Sequence, residues 1–351
     1  MTRLRSLLIG GAAAVVMTGV VSNAFANESG TFTNTLAGAS IGIPGGAAPP
    51  PGLYTGLETV WPLATPAYGN AGASAVSPTA STVKIGATIG IVPLVWATGW
   101  NFLGAHVTLN AIQAFYTAYA QPNATTNSAV AGGAFGAGPG VVAVLPNVAN
   151  TSWGGSLSWN LGQGWFFSIG VGVEAPDGSS YTGSPNPDFW SVNPNWALSY
   201  LANNWVLSAN MAYFINGPSR GNAANLGGLG IAGANGYTDG NEFYLDATAV
   251  YKIGKWEIGP VGYFFDQTTG DSFGAGNSCA AMVATALHCG WAHGAALGGL
   301  VGYDFGPVDL QVWVTDQFWN QDTPGGGITV WTRMGFRLWA PEAPKPLVAK
   351  N

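Results

Sequence analysis

Residues 241–268 read NEFYLDATAVYKIGKWEIGPVGYFFDQT, and their alternation decides the fold. Phe243, Leu245, Ala247, Ala249 and Tyr251 are apolar, while Glu242, Tyr244, Asp246, Thr248 and Lys252 between them are mostly polar. A period of two is the mark of a strand with one greasy and one wet face. Ile253-Gly254-Lys255 turns the chain, and Trp256, Ile258, Pro260, Gly262 and Phe264 carry one face back, with Glu257, Tyr263 and Gln267 opposite. Each arm is long enough for a tilted strand to cross a bilayer, which takes about 9–11 residues. The pair reads as one hairpin of a transmembrane barrel.

Composition supports that reading. Only 7% of the 351 residues are charged, Gly numbers 53 and Trp 15. A soluble sandwich or solenoid would need more surface charge than this chain carries; soluble domains average roughly 25% charged residues. Beyond the N-terminus no apolar run of about 18 residues occurs, which excludes spanning helices. A closed barrel satisfies its backbone between strands and tolerates such a composition. Ten basic residues face 16 acidic ones, so a nucleic-acid partner, which wants a basic footprint, is excluded.

The N-terminus has the form of a secretory signal over residues 1–26. Arg3 and Arg5 precede an apolar Leu7–Val21 and an Ala24-Phe25-Ala26 cleavage site. Export follows, and the expected location is the bacterial outer membrane. Residues 27–51 are rich in Gly, Ala and Pro and end in Pro49-Pro50-Pro51. They read either as a disordered periplasmic leader or as a plug folded into the lumen.

Residues 52–339 hold the barrel, with twelve strands expected at 52–60, 82–96, 101–119, 151–160, 164–174, 192–202, 204–216, 241–253, 255–268, 291–304, 307–320 and 328–339. Long connections (61–81, 120–150, 175–191, 217–240, 269–290) alternate with short ones (97–100, 161–163, 203, 254, 305–306). This is the asymmetry of long extracellular loops and short periplasmic turns. Trp96, Trp100, Trp159, Trp165, Trp205, Trp256 and Trp339 gather by the short turns, with Phe305 at another, as an interfacial girdle would. Residues 340–351 read as a periplasmic tail.

Alternation assigns charges to the side away from lipid, where a mid-bilayer Arg would cost about 2–4 kcal/mol. The expected polar lining of the lumen is Lys84, Glu174, Glu242, Asp246, Lys252, Glu257, Asp309, Arg333 and Arg337, with Tyr244, Tyr263 and Trp331 as aromatic faces for a ring. Twelve strands give a narrow pore, closed by its own charges or constricted to orient solutes. Pro260 cannot donate to a ladder and marks a bulge, a broken hydrogen bond or a lateral opening into lipid.

Cys279 and Cys289, in an exported chain, read as a disulfide rather than as zinc ligands with His288 and His293, whose spacing fits no common zinc signature. No G-x-S-x-G elbow points to a hydrolase, and Gly228–Gly233 matches a nucleotide motif in letters without the βα context. No catalytic residue, metal or cofactor is expected.

Pro49-Pro50-Pro51-Gly52-Leu53-Tyr54, Asn241–Asp246, Tyr251-Lys252, Trp256–Tyr263 and Gly302-Tyr303-Asp304-Phe305 resemble the family named after the meta-pathway of phenol degradation. The resemblance runs from about Pro49 to Leu338. It implies an outer-membrane transporter for aromatic or other hydrophobic compounds, with no catalytic residues to carry over. The expected function is a non-enzymatic, porin-like channel for passive uptake of small phenol-like compounds. The alternatives are a structural or adhesion barrel with a shut lumen, and a general porin. Expected partners are membrane lipid, small hydrophobic solutes and the barrel-assembly machinery; uniformly greasy outer faces point to a monomer.

Overall fold

The computed structural model describes residues 35–62, 65–66, 84–121, 143–179, 186–218, 220, 238–270, 272, 292–321 and 327–341. The signal segment, Cys279, Cys289, His288, Gly228–Gly233 and most of the tail lie outside the described residues.

The strands are β1 (Gly52–Pro62), β2 (Thr65–Pro66), β3 (Lys84–Phe102), β4 (Ala105–Gln121), β5 (Ala143–Val148), β6 (Thr151–Gly162), β7 (Trp165–Ala175) and β8 (Ser191–Ala202). They continue with β9 (Trp205–Asn216), β10 (Glu242–Ile253), β11 (Trp256–Gln267), β12 (His293–Asp304), β13 (Val308–Gln321) and β14 (Gly327–Trp339). Twelve of them form a closed antiparallel barrel, in which β1 pairs with both β3 and β14 and every other long strand pairs with its chain neighbours. Short β2 and β5 lie beside the outer parts of β3 and β4, so the last part of the expected 120–150 loop is strand. Among the described residues no helix is long and apolar enough to cross a membrane.

Two-residue turns join the strands at one end, at Leu103-Gly104, Gln163-Gly164, Asn203-Asn204 and Gly254-Lys255. In the first three both residues have positive φ, between 50° and 87°. That is the mirror-image turn whose twist matches paired strands. The first turn corrects the sequence reading, which placed it at 97–100. Instead β3 runs on to Phe102, and its register with β4 slips between Ala97 and Asn101. Gly99, at φ 78°, supplies the positive φ for this bulge, and Thr98 Oγ1 donates to the Val107 carbonyl. Gly and Asn in 97–101 imitate turn chemistry, but the pair of positive-φ residues that closes a tight hairpin comes later.

The outward face is greasy. Ile169, Val171, Val192, Ile215, Ile258, Val312 and Val314 are all exposed, as a lipid-facing wall requires. Aromatic pairs band the short-turn end: Trp165–Tyr200 and Trp205–Tyr251 have ring centroids 5.1 Å apart, and Trp256–Tyr303 4.7 Å. Indole and phenol rings of this kind suit the headgroup layer.

Inside the barrel runs the segment 35–51. It is a chain of tight turns, closed by hydrogen bonds from Ala39 to Leu36, Ile41 to Gly38 and Ile43 to Ser40. Leu36, Ala37, Ala39, Ile41 and Ile43 are buried, Ile41 completely. Gly-rich sequence lets the segment lie flat on the wall. A Cβ on Gly46 would sit 2.6 Å from the Phe166 carbonyl, too close for any other residue.

Candidate lumen site

The wall holds the inner segment in two ways. The first is by its backbone. On β10, Asp246 accepts from the Gly38 and Ser40 amides and the Ser40 hydroxyl at 2.7–2.8 Å, and Thr248 Oγ1 accepts from the Gly42 amide at 2.8 Å. Asn210 on β9 donates to the Ser40 and Ile43 carbonyls. Ser199 on β8 accepts from the Gly46 amide, and Ser168 on β7 donates to the Gly45 carbonyl. Each of these groups sits at an inward position of its strand, because inward and outward residues alternate.

The second grip is through side chains. Leu36, Ala39 and Ile41 belong to one apolar cluster with Ile89 and Ile91 of β3, Ile112 of β4, Leu300 of β12, Trp313 of β13 and Trp331 of β14. At these inward positions the residue is apolar, which strict alternation does not anticipate.

Arg333 of β14 joins the two. Its Nε donates to Oε2 of Glu58 at 2.8 Å and Nη2 lies 2.7 Å from the same oxygen in an ion pair, with 4% and 0% of the two side chains exposed. Nη1 donates to the Ile41 carbonyl and to Gln311, and Nη2 to the Ala39 carbonyl. Its guanidinium lies 4.7 Å from the centre of the Trp313 ring. Glu58 and Trp313 carry no mark in the sequence beyond the inward parity of their strands.

The other residues expected in the lumen fall at several heights. Glu174, Glu242 and Tyr244 are buried toward the long-loop end, and the Tyr244 hydroxyl donates to Glu242. Tyr263 donates to Gln317 at 3.2 Å, and Glu257 accepts from Gln311 at 2.6 Å. Lys252 stands opposite Glu257 in the ladder near the short-turn end, where Asp309 is half-buried and Arg337 exposed. Lys84 begins β3 opposite Gln121. These residues do not form one cluster; Asp246 and Arg333 both reach the inner segment.

Pro260 faces outward and is exposed. The β10–β11 pairing breaks beside it, running from Thr248↔Val261 to Tyr251↔Ile258 without a change of register. Pro260 therefore marks a missing rung rather than a bulge, and Gly259 keeps the strands close by letting the Ala249 carbonyl approach it. His293 Nδ1 pairs with Asp266 and its ring stacks on Trp319, and among the described residues no group of three or more His, Cys, Asp or Glu could hold a metal.

At the long-loop end the described residues 186–189 are held against their neighbours. Phe189, Asn186 and Asp188 are buried, Tyr116 donates to Asn186, and Arg220 donates to the Asp188 and Pro176 carbonyls.

Comparison with solved structures finds the COG4313 outer membrane channel from Pseudomonas putida F1, with TM-score 0.59 and 12% identity over 82% of this chain and 96% of that one. The transport unit of the autotransporter AIDA-I from Escherichia coli matches at TM-score 0.41 and 10% identity, covering 83% and 90%. A Pseudomonas aeruginosa FadL homologue matches at 0.35 and 11%, covering 90% and 98%. A search of curated protein sequences finds no match. At TM-score 0.59, the first of these structures shares the barrel fold of this chain. A family model described as "Putative MetA-pathway of phenol degradation" matches residues 65–334, and the chain belongs to that family.

Proposed function

We propose that this protein is an outer-membrane channel through which small hydrophobic or aromatic, phenol-like compounds enter passively. It acts as a monomer without cofactor or covalent chemistry, after export on a cleaved signal. The observation that carries the reading is the lumen wall. Ile89, Ile91, Leu300, Trp313 and Trp331 form a lane of apolar surface on the inside of a barrel, where a channel for sugars or salts would present water-binding groups. The family supports it, as does the likeness to a barrel described as an outer membrane channel. The inner segment 35–51 fills the lane at rest, so passage requires it to shift. Pro260, beside the missing rung, is the place assigned for a sideways exit into lipid.

The test is permeation through liposomes holding the purified full barrel, comparing phenol, a sugar of similar size and salt conductance. Faster phenol entry with little sugar or ion passage is expected. Equal passage of all three would make it a general porin. No passage, from a barrel whose gel mobility shows it folded, would leave a structural or adhesion barrel. Pro260→Val should slow phenol entry, and an unchanged rate would remove the lateral exit alone.

A further inference from the structure

Two tryptophans in the apolar lane are unusual. Trp313 and Trp331, 0% and 2% exposed, stack with centroids 5.3 Å apart and planes 13° from parallel. A buried indole N–H normally finds an acceptor, because leaving it unpaired forfeits its hydration. Here neither Nε1 has a hydrogen-bond partner among the described residues. Gln317 Nε2 and Thr315 Oγ1 are buried without partners too. Trp313, Thr315 and Gln317 are successive inward positions of β13, and Trp331 stands opposite Trp313 on β14. One strip of wall therefore carries several unanswered donors in an otherwise apolar lane.

The inner segment lies against this strip but answers none of them. A Cβ on Gly38 would sit 3.3 Å from Trp331 Cζ2, so backbone passes close to that ring. Leu36, Ala39 and Ile41 offer only hydrocarbon. The Ala39 and Ile41 carbonyls, which could accept, are taken by Arg333. If the segment moves out, Arg333 loses those two acceptors and the strip gains two more free donors. An aliphatic solute would fill the lane and leave all of them unanswered. A flat ring bearing an acceptor oxygen would fill the lane edge-on to the indoles, with its oxygen in line with an in-plane N–H, and so answer at least one of them.

We propose that the strip of Trp313, Trp331 and Gln317, with Arg333 at its edge, is a binding site for monocyclic aromatic compounds carrying an acceptor oxygen, and that residues 36–41 occupy it at rest. The Ala39 and Ile41 carbonyls, bonded to Arg333, lie at its edge. This deepens the channel reading and rests on it for the identity of the ligand as cargo.

The experiment is fluorine NMR of 4-fluorophenol and fluorobenzene titrated with the full barrel in detergent, with protein-free micelles as the baseline. The comparison protein carries both Trp313→Phe and Trp331→Phe, which keep one aromatic ring at each position and remove the N–H groups. Wild type should bind 4-fluorophenol more tightly than fluorobenzene. The double variant should bind 4-fluorophenol about tenfold more weakly, the scale of two modest hydrogen bonds, and fluorobenzene within about twofold of wild type. Equal binding of the two ligands by wild type, or an unchanged 4-fluorophenol affinity in the variant, would overturn the site. Liposome entry of 4-fluorophenol separates the two ideas. Entry with variant-insensitive binding sinks the site and spares the channel; variant-sensitive binding without entry does the reverse.

Discussion

The two sides of the lumen hold the same short segment by different means. From β7 to β10 the wall offers Ser168, Ser199, Asn210, Asp246 and Thr248, and all five bond backbone atoms of residues 38–46. From β11 round to β4 it offers chiefly Trp, Ile and Leu, which take the side chains of Leu36, Ala39 and Ile41, with Gln311 and Arg333 bonding the segment's carbonyls there. Backbone bonds are indifferent to which residues the segment carries, whereas an apolar cluster is selective for size and shape. The polar wall is thus a rail that fixes where the segment lies. The apolar wall is the surface that the segment covers, and the one the proposed solute would compete for.

The largest effect should come where the two grips meet. Arg333→Ala leaves Glu58 fully buried without its cation, a loss of about 3–5 kcal/mol for breaking a buried pair. The temperature at which the folded gel band converts to the unfolded one should fall sharply. Combining Arg333→Met with Glu58→Gln should recover most of it, because no uncompensated charge then remains. If the single variant melts like wild type, Arg333 is no keystone and the two walls act independently.

Next comes the apolar grip alone. Ile41 is fully buried, and Ile41→Ala should weaken docking of the segment by about 2–4 kcal/mol while leaving the barrel's melting unchanged. Ion conductance should rise as the segment spends more time away. Asp246→Ala tests the rail. It removes three hydrogen bonds to a carboxylate, partly offset by no longer burying the charge, for a net loss of about 2 kcal/mol. It should also raise conductance, and by less than Ile41→Ala. The reverse order would make the rail the main lock.

Much of the barrel is legible in the sequence because its strands are local patterns. The alternation of 241–268 places Asp246 and Tyr263 inward without any knowledge of neighbours. The turn at Leu103-Gly104 is harder to read, since the Gly99 region carries the same turn chemistry and only pairing with β4 decides between them. The order of residues 35–51 is not local at all. Its partners are wall residues far along the chain, 206 positions for Ser40 with Asp246 and 292 for Ile41 with Arg333. The Glu58–Arg333 pair spans 275. Gly- and Ala-rich sequence shows only that such a segment buries little by itself; which surface orders it comes from closure of the ring. Trp313 escapes for a similar reason, lying between Val312 and Val314 in a run that reads as wall.

The smallest test isolates one uncharged contact on the rail. Ser199 Oγ accepts from the Gly46 amide at 2.9 Å and shares a proton with Ser208 Oγ at 2.8 Å. Ser199→Ala removes both links but leaves Ser208 bonded to Asn210 at 2.9 Å. Gly46 is buried, so its amide loses its acceptor and the segment should loosen by about 1 kcal/mol, a single net hydrogen bond. Protease cleavage of the segment in liposome-bound barrel should speed up about fivefold, provided opening is fast relative to cutting. Unchanged cleavage would put the Gly46 contact outside the grip and confine the rail to Ser168, Asn210, Asp246 and Thr248. An increase as large as that of Asp246→Ala would mean that neutral contacts near the short-turn end hold as firmly as the carboxylate above them. In that case the segment would be fastened along its whole length, and a solute would have to displace all of it rather than the stretch over the tryptophans.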